Sequence, residues 1–153
     1  MVDVSTLPDV MQKHLNNLDC PVFDAKPWVQ GKALNERRVA LVSSAGLHKR
    51  NDKHFVGGDA SYRSIPGDVN PGDIIMSHVS VNFDRSAFQQ DLNVVFPIQH
   101  LSDLADEGVI GSVSPTHYSF MGATDPRNMV DDARQLAAIM KADDVDTVVL
   151  LPV

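Results

Sequence analysis

The chain has 153 residues, of which 43% are hydrophobic and 22% are charged, and its formal net charge is −7. A chain of this size buries about 68–70% of its unfolded surface, so we expect one self-supporting domain. The acidic balance argues against nucleic acid and against an anionic membrane surface as partners, because both require a basic face.

The N-terminus and the cysteine content indicate a location. No apolar run approaches the roughly 20 residues that a membrane-spanning helix needs. The opening MVDVSTLPDV lacks the basic and apolar regions of a signal peptide. Cys20 is the single cysteine, so no internal disulfide can form, which agrees with a reducing compartment. We therefore expect a cytoplasmic protein without a membrane span.

The first 37 residues predict a short helix and a linker. Pro8 suits the first turn of a helix, and apolar side chains follow it at helical spacing, at Met11, Leu15 and Leu18. Proline and glycine then recur through residues 21–31, as is typical of a linker. We assign 1–37 to this helix and linker, ahead of a core that spans 38–153.

The core begins with a predicted buried strand. RVALVSS, residues 38–44, is a run of aliphatic and β-branched side chains. The polar segment 44–68 has no clean periodicity, and an ordered segment of this length is usually a functional loop. IIMSHV, residues 74–79, is the second predicted strand.

Helices and strands alternate in the second half. Residues 98–107 predict a helix that stops at Gly108, and VIGSV predicts a strand over 109–113. Asp125-Pro126 caps the clearest helix, whose apolar positions recur at helical spacing: Met129, Ala133, Leu136, Ala137 and Met140. It leads to the strand TVVLL. This alternation predicts a single α/β domain with a three-layer, open, mostly parallel sheet of flavodoxin-like or Rossmann-like type.

Polar side chains follow each of the first three predicted strands. In a parallel sheet these segments share one edge with the carboxyl end of TVVLLPV. We therefore expect their polar residues to converge there: Ser44, His48, Ser77, His78, His117 and Ser119.

Several kinds of chemistry are compatible with this convergence. A metal site would combine the histidines with a nearby carboxylate, Asp84 or Asp91, but no compact ligand pair such as HExxH occurs, and we assign no metal. The simpler interpretation is that loop histidines bond to backbone. A serine nucleophile is disfavoured, because Ser77 and His78 are adjacent and point apart and no GxSxG elbow exists.

The stretch VNFDRSAFQQDLNVVFP permits two interpretations of its aspartates. SAFQQDLN predicts a short helix, with Asp84 as the cap of its start and Asp91 or Asn93 as the cap of its end. Alternatively, Asp84 or Asp91 lies beside His78 and sets its tautomer, as an acid/base pair requires.

Longer stretches of the chain resemble a known enzyme family. The pattern runs through RVALVSSAGLH, GDASYRSIP, the segment 77–112, THYSFMG and DVDTVVLLPV. It resembles the selenoprotein B subunits of the glycine, sarcosine, betaine and D-proline reductases. The order and spacing of these stretches are more specific than any single motif.

The resemblance implies reductive cleavage of a carbon–nitrogen bond in a small amine or amino acid. In the family, a partner subunit with a pyruvoyl group holds the substrate, a selenocysteine or cysteine of the B subunit attacks the activated carbon, and dithiols regenerate it. Nearby positive charge would lower the pKa of that residue. We predict three catalytic residues, His78, His117 and Asp84. The predicted ligand-binding residues are Ser44, His48, Arg63, Ser77, Asp91 and Ser119.

In the family the reactive residue follows the strand that resembles DTVVLLPV, so it would come after Val153. One hypothesis is that this chain results from reading a UGA selenocysteine codon as stop. A second is a non-catalytic scaffold that binds a ligand or a partner, and a third is an enzyme that uses a histidine and carboxylate cluster, with or without metal. An uncovered terminal strand also predicts a homo-oligomer.

Overall fold

The computed structural model describes residues 3–17, 22, 24, 26, 28–80 and 85–153. The chain divides into two compact units, Met1–Gln30 and Gly31–Val153. In the first unit the helix α1 spans Asp9–Asn16, and Met11 is half-buried on it while Val10 is exposed. The predicted helical position Leu18 lies outside the described residues.

The second unit alternates strands with helices. Its strands are β1 (Arg38–Ser43), β2 (Leu47–Lys49), β3 (Arg63–Pro66), β4 (Ile74–Met76), β5 (Ser112–Val113), β6 (Thr116–Ser119) and β7 (Thr147–Leu151). Its helices are α2 (Ser86–Gln90), α3 (Ile98–Asp106) and α4 (Val130–Ala142). None of the helices in the described ranges is long and apolar enough to cross a bilayer.

The strand β1 is the centre of the main sheet. On one side it pairs in parallel with β7, from Val39 opposite Thr147 to Ser43 opposite Leu151. On the other side it pairs in parallel first with β5 and then with β6, and β3 adds to β6 in the antiparallel sense. The predicted α/β class with a mostly parallel sheet is confirmed, whereas a flavodoxin-like or Rossmann-like arrangement stays a prediction.

Alternate residues of β1 face two different apolar clusters. Val39 and Leu41 belong to a cluster that includes Leu101 of α3. Val42 packs against a second cluster, which includes Leu136 of α4. Because successive side chains of a strand point to opposite faces, α3 and α4 lie on opposite faces of the sheet.

The predicted strand at 74–79 is shorter than expected and belongs to another sheet. β4 covers only Ile74–Met76 and pairs antiparallel with β2, outside the main sheet. The next residue, Ser77, donates its N–H to the Gly46 carbonyl at 2.9 Å, which ties this segment to the chain just after β1. A short apolar run shows that a strand exists but not which strand it pairs with.

The region around β5 and β6 also differs from the prediction. The strand predicted over 109–113 is reduced to Ser112–Val113, and Thr116–Ser119, predicted as part of a polar loop, is the buried strand β6. Polar side chains fit this interior because His117 and Ser119 bond to buried backbone N–H groups. The long segment 44–68, predicted as irregular, contains β2 and β3.

Local signals correctly predicted two helix boundaries, the start of α4 and the end of α3. Asp125 Oδ1 accepts the Arg127 N–H at 2.9 Å, and a helical turn over Pro126–Met129 then leads into α4. Gly108, with a φ of 70°, follows the end of α3. Only residues with little steric hindrance adopt this left-handed backbone, so glycine ends the helix there.

Candidate functional site

The carboxyl ends of β1 and β7 meet at one edge of the main sheet. Ser44 lies directly after β1, and its Oγ accepts the Val153 N–H at 2.8 Å. The Ser44 N–H donates to the Leu151 carbonyl at 3.0 Å. Ser44 thus lies at the predicted edge, where it fixes the backbone that follows β7.

Gly122 permits a close approach of the chain at this edge. Its N–H donates to the Ser44 carbonyl at 2.8 Å. A Cβ at position 122 would lie 2.8 Å from the Val153 carbonyl oxygen and 2.9 Å from the Ser44 carbonyl oxygen, too close for any side chain. No sequence signal marked Gly122 as a site residue, although the stretch THYSFMG ends on it.

A cavity of about 470 Å³ opens beside the same edge. Its walls come from the ends of β1 and β7 and from the segment between β6 and α4. Most of the lining is apolar, with Val42, Phe120, Met129, Leu150 and Leu151 as its largest aliphatic and aromatic members. Ser44 and Thr124 add hydroxyl groups, whereas the Ser43 hydroxyl donates to the Val95 carbonyl on the other face of β1. The cavity therefore suits a small molecule with a hydrocarbon body and few polar atoms.

His117 lies inside the fold rather than at the edge where it was predicted. Its side chain is fully buried, its Nδ1 accepts the Leu41 N–H at 3.0 Å, and its ring meets the Phe96 ring edge-on. Burial lowers the pKa of His117 to about 4. The ring is therefore neutral near pH 7 and carries its proton on Nε2, so it supplies no positive charge to the edge.

His48, Ser77 and His54 form a polar cluster beside β2. His48 is fully buried, and its Nε2 lies 2.7 Å from the Ser77 Oγ. The exposed His54 approaches the same hydroxyl with its Nδ1 at 3.4 Å. Two predicted ligand-binding residues are thus brought together, and His54 joins them although no sequence signal pointed to it.

His78 follows Ser77 in the chain, and its side chain is almost fully buried. Its Nδ1 accepts the Ser80 N–H at 3.2 Å, and its carbonyl accepts a hydrogen bond from the Arg85 guanidinium. Burial, and then the charge of Arg85, lower the pKa of His78 below its usual 6.5. Asp84, the predicted acidic partner, lies outside the described residues.

Arg63 is held within its own loop instead of facing a ligand. Its guanidinium forms a largely buried ion pair with Asp59 at 2.8 Å and lies 4.2 Å from the centre of the Phe55 ring. All five N–H donors are used, by the Asp59 carboxylate, the Ser61 hydroxyl and the carbonyls of Lys53, His54 and Tyr62.

Two further predicted ligand-binding residues bond to nearby backbone. Ser119 is fully buried, and its Oγ accepts the Leu47 N–H at 2.9 Å. The helix predicted over SAFQQDLN ends at Gln90 as α2, and the Asp91 carboxylate accepts the Asn93 N–H at 2.9 Å, so it caps the start of the next turn, Leu92–Val94, instead of the end of that helix. Within the described ranges, no three His, Cys, Asp or Glu side chains are grouped so that they could hold a metal ion.

Comparison with known proteins identifies relatives of this chain. Residues 11–152 match the family model of the glycine/sarcosine/betaine reductase selenoprotein B. The D-proline reductase subunit gamma of Acetoanaerobium sticklandii is 36% identical over 85% of this chain and 54% of its own length. The glycine reductase complex component B subunit gamma of Symbiobacterium thermophilum is 30% identical, over 85% of this chain and 32% of its own length.

A second glycine reductase complex component B subunit gamma, from Carboxydothermus hydrogenoformans, is 27% identical over 87% of this chain and 32% of its own length. The chain thus spans about half the length of the D-proline reductase relative and about a third of the two glycine reductase relatives. No solved structure gives a significant match. Because the family model covers residues 11–152, the chain belongs to the glycine/sarcosine/betaine reductase selenoprotein B family.

Proposed function

We propose that this chain forms the scaffold of a reductase subunit that acts in the reductive cleavage of a carbon–nitrogen bond in a small amine or amino acid. The observation that carries the proposal is the edge where Ser44, Gly122 and the end of β7 meet, in a chain of this family. Relatives named as components of a reductase complex support a further part of the proposal, a partner subunit. We propose from the family resemblance that this partner bears a pyruvoyl group.

The chain's own contribution is to position the segment that follows β7. When present, the family's selenocysteine or cysteine supplies the nucleophile at that position. Ser44 orients the backbone there through the Val153 N–H, and Gly122 lets a second backbone segment lie against it. Reactive groups held by rigid strands keep the geometry that catalysis needs, and a displacement of about 1 Å can cost about 100-fold in rate.

The lining of the cavity favours a substrate with a hydrocarbon ring or N-methyl groups over glycine. Val42, Phe120 and Met129 offer apolar contact, and no charged side chain is among the described lining residues. The amino and carboxylate groups would then face the partner subunit. We therefore propose D-proline as the first substrate to examine, a choice that the D-proline reductase relative also supports.

The proposal is tested on the assembled complex. The chain is tagged at its N-terminus in the organism that encodes it, and the captured complex is incubated with dithiothreitol and D-proline, sarcosine, betaine or glycine. We expect cleavage that requires the dithiol, which supplies two electrons and becomes a disulfide while D-proline becomes 5-aminopentanoate. Absence of turnover with all four substrates would contradict the proposal.

A binding scaffold without catalysis is the second candidate, and the apolar cavity is the observation that favours it. Under this alternative the captured complex binds D-proline in calorimetry but leaves it unchanged in the presence of dithiol. An enzyme based on a histidine cluster has less support, because none of the described residues that line the cavity is a histidine.

A further inference from the structure

The hydrogen bonds around Ser77 have a fixed direction. His48 Nδ1 lies 2.7 Å from the Lys49 carbonyl oxygen, which can only accept, so Nδ1 carries a proton. In the neutral ring, Nε2 then has the free lone pair, and it lies 2.7 Å from the Ser77 Oγ. Ser77 must therefore donate its hydroxyl proton to His48.

This arrangement is that of a serine activated by a histidine base. A third group orients the base, and here a backbone carbonyl takes the place that a carboxylate holds in the familiar triad. In the sequence, the histidine next to Ser77 is His78, and a nucleophile built on that pair was disfavoured. The structure instead pairs Ser77 with His48, which precedes it by 29 residues.

Solvent can approach the Ser77 hydroxyl but not the His48 imidazole. His48 is fully buried, so water does not compete for its Nε2, whereas Ser77 is half-buried and can be approached from solvent. His54 is exposed and lies on the open side, with Nδ1 at 3.4 Å from the Ser77 Oγ. The Ser77 N–H is bonded to the Gly46 carbonyl at 2.9 Å, which holds the serine in place.

We propose that Ser77 is a nucleophile that takes acyl groups from activated carboxylic esters, with His48 as its general base. In this step the Oγ–carbon bond forms as the hydroxyl proton passes to His48 Nε2. The bond between the carbonyl carbon and the ester oxygen breaks, and the alcohol leaves with the proton from His48. Water that approaches Ser77 from the open side, where the exposed His54 lies, then adds to the acyl carbon, and the bond to Oγ breaks as the serine regains a proton from that water. This activity does not depend on the reductase function.

The test uses the purified chain and p-nitrophenyl acetate as the probe. We expect release of p-nitrophenolate together with an acetyl group on Ser77, located by peptide mass mapping. Ser77→Ala should abolish that label, and His48→Gln should slow it by about 100-fold or more, the usual contribution of a general base. Ser102→Ala, which removes an exposed hydroxyl on α3, should leave the rate unchanged.

The outcomes that contradict Ser77 as the nucleophile are equally specific. Acetyl groups found only on lysines or the N-terminus, or equal release of p-nitrophenolate by Ser77→Ala and the unmodified chain, would overturn the proposal. The Ser77–His48 bond would then serve only to join β4 to β2. If His48→Gln does not fold, as judged by circular dichroism, the mass map and the Ser77→Ala rate still decide whether Ser77 is the nucleophile.

Discussion

A single imidazole completes the hydrogen bonding of the central strand. β5 pairs with β1 at Arg38 and Val39, and β6 pairs with it at Val42 and Ser43. The Leu41 N–H lies between these two stretches and donates to the ring of His117 instead of a backbone carbonyl. A buried backbone N–H without a partner costs about 1–3 kcal/mol, so this histidine has a structural role.

The same imidazole makes stability depend on pH. Its pKa is about 4 in the folded chain and about 6.5 when exposed, so the unfolded chain binds more protons between these values. The stabilisation is complete above about pH 6.5 and falls as the pH drops towards 4. The difference between the two pKa values corresponds to a loss of about 3 kcal/mol in the free energy of unfolding. We expect the free energy of unfolding in urea to fall by this amount between pH 6.5 and pH 4 in the unmodified chain. In His117→Gln it should fall much less over the same range.

His100→Gln provides the matched control for this pH effect. His100 is exposed on α3, so its removal should leave the pH dependence unchanged. A dependence that persists in full in His117→Gln would assign it to other groups.

At the scale of elements, one arginine orders a loop that has no apolar periodicity. Burial acts to raise the pKa of Asp59, but hydrogen bonds from Ser61 and Arg63 outweigh it and lower that pKa. The carboxylate therefore stays ionised and pairs with Arg63, whose other donors bind the carbonyls of the same loop. Polar contacts thus fix the path of the chain between β2 and β3.

Arg63→Lys should destabilise this loop even though it keeps the charge. Lysine cannot reproduce the planar fork that reaches five acceptors, and we expect a loss of about 2 kcal/mol in the free energy of unfolding. Arg134→Lys, in an exposed pair with Asp131, should change it by less than about 0.5 kcal/mol. Equal effects of the two substitutions in denaturant titrations would refute this account of the loop.

Sequence signals that act locally predicted their elements well, and long-range contacts explain the failures. The cap at Asp125 and the stop at Gly108 depend on nearby residues, and both were correct. The pairing of β4 and the burial of β6 depend on distant segments, so neither followed from local pattern. For the site, the edge at Ser44 was predicted from strand order, but the contact of His48 with Ser77 required the antiparallel pairing of β2 with β4.

At the scale of the whole molecule, β7 leaves apolar surface uncovered. It pairs with β1 alone among the described strands, and Val148, Val149 and Leu150 are 36%, 37% and 71% exposed. Exposed apolar side chains on an edge strand favour association with another polypeptide. The homo-oligomer predicted from the sequence stays a prediction on these grounds.

Sedimentation velocity of the purified chain tests this association. We expect the weight-average sedimentation coefficient to rise with concentration, and Leu150→Lys to reduce that rise by placing a charge on the exposed strand. Val56→Lys serves as the control, because Val56 is also exposed, at 58%, but lies in the loop between β2 and β3. Concentration-independent sedimentation of the unmodified chain would rule out self-association.

We propose above all that the edge formed by Ser44, Gly122 and the end of β7 positions the reactive segment of a reductase subunit. Gly122→Ala would push a Cβ to 2.8 Å from the Val153 carbonyl oxygen, whereas Gly57→Ala meets no atom within 4 Å. The deciding measurement is the dithiol-dependent D-proline cleavage rate of the captured complex with each substitution. We predict a loss of at least about 10-fold for Gly122→Ala and none for Gly57→Ala. Equal rates for both variants, with the complex intact, would contradict the claim.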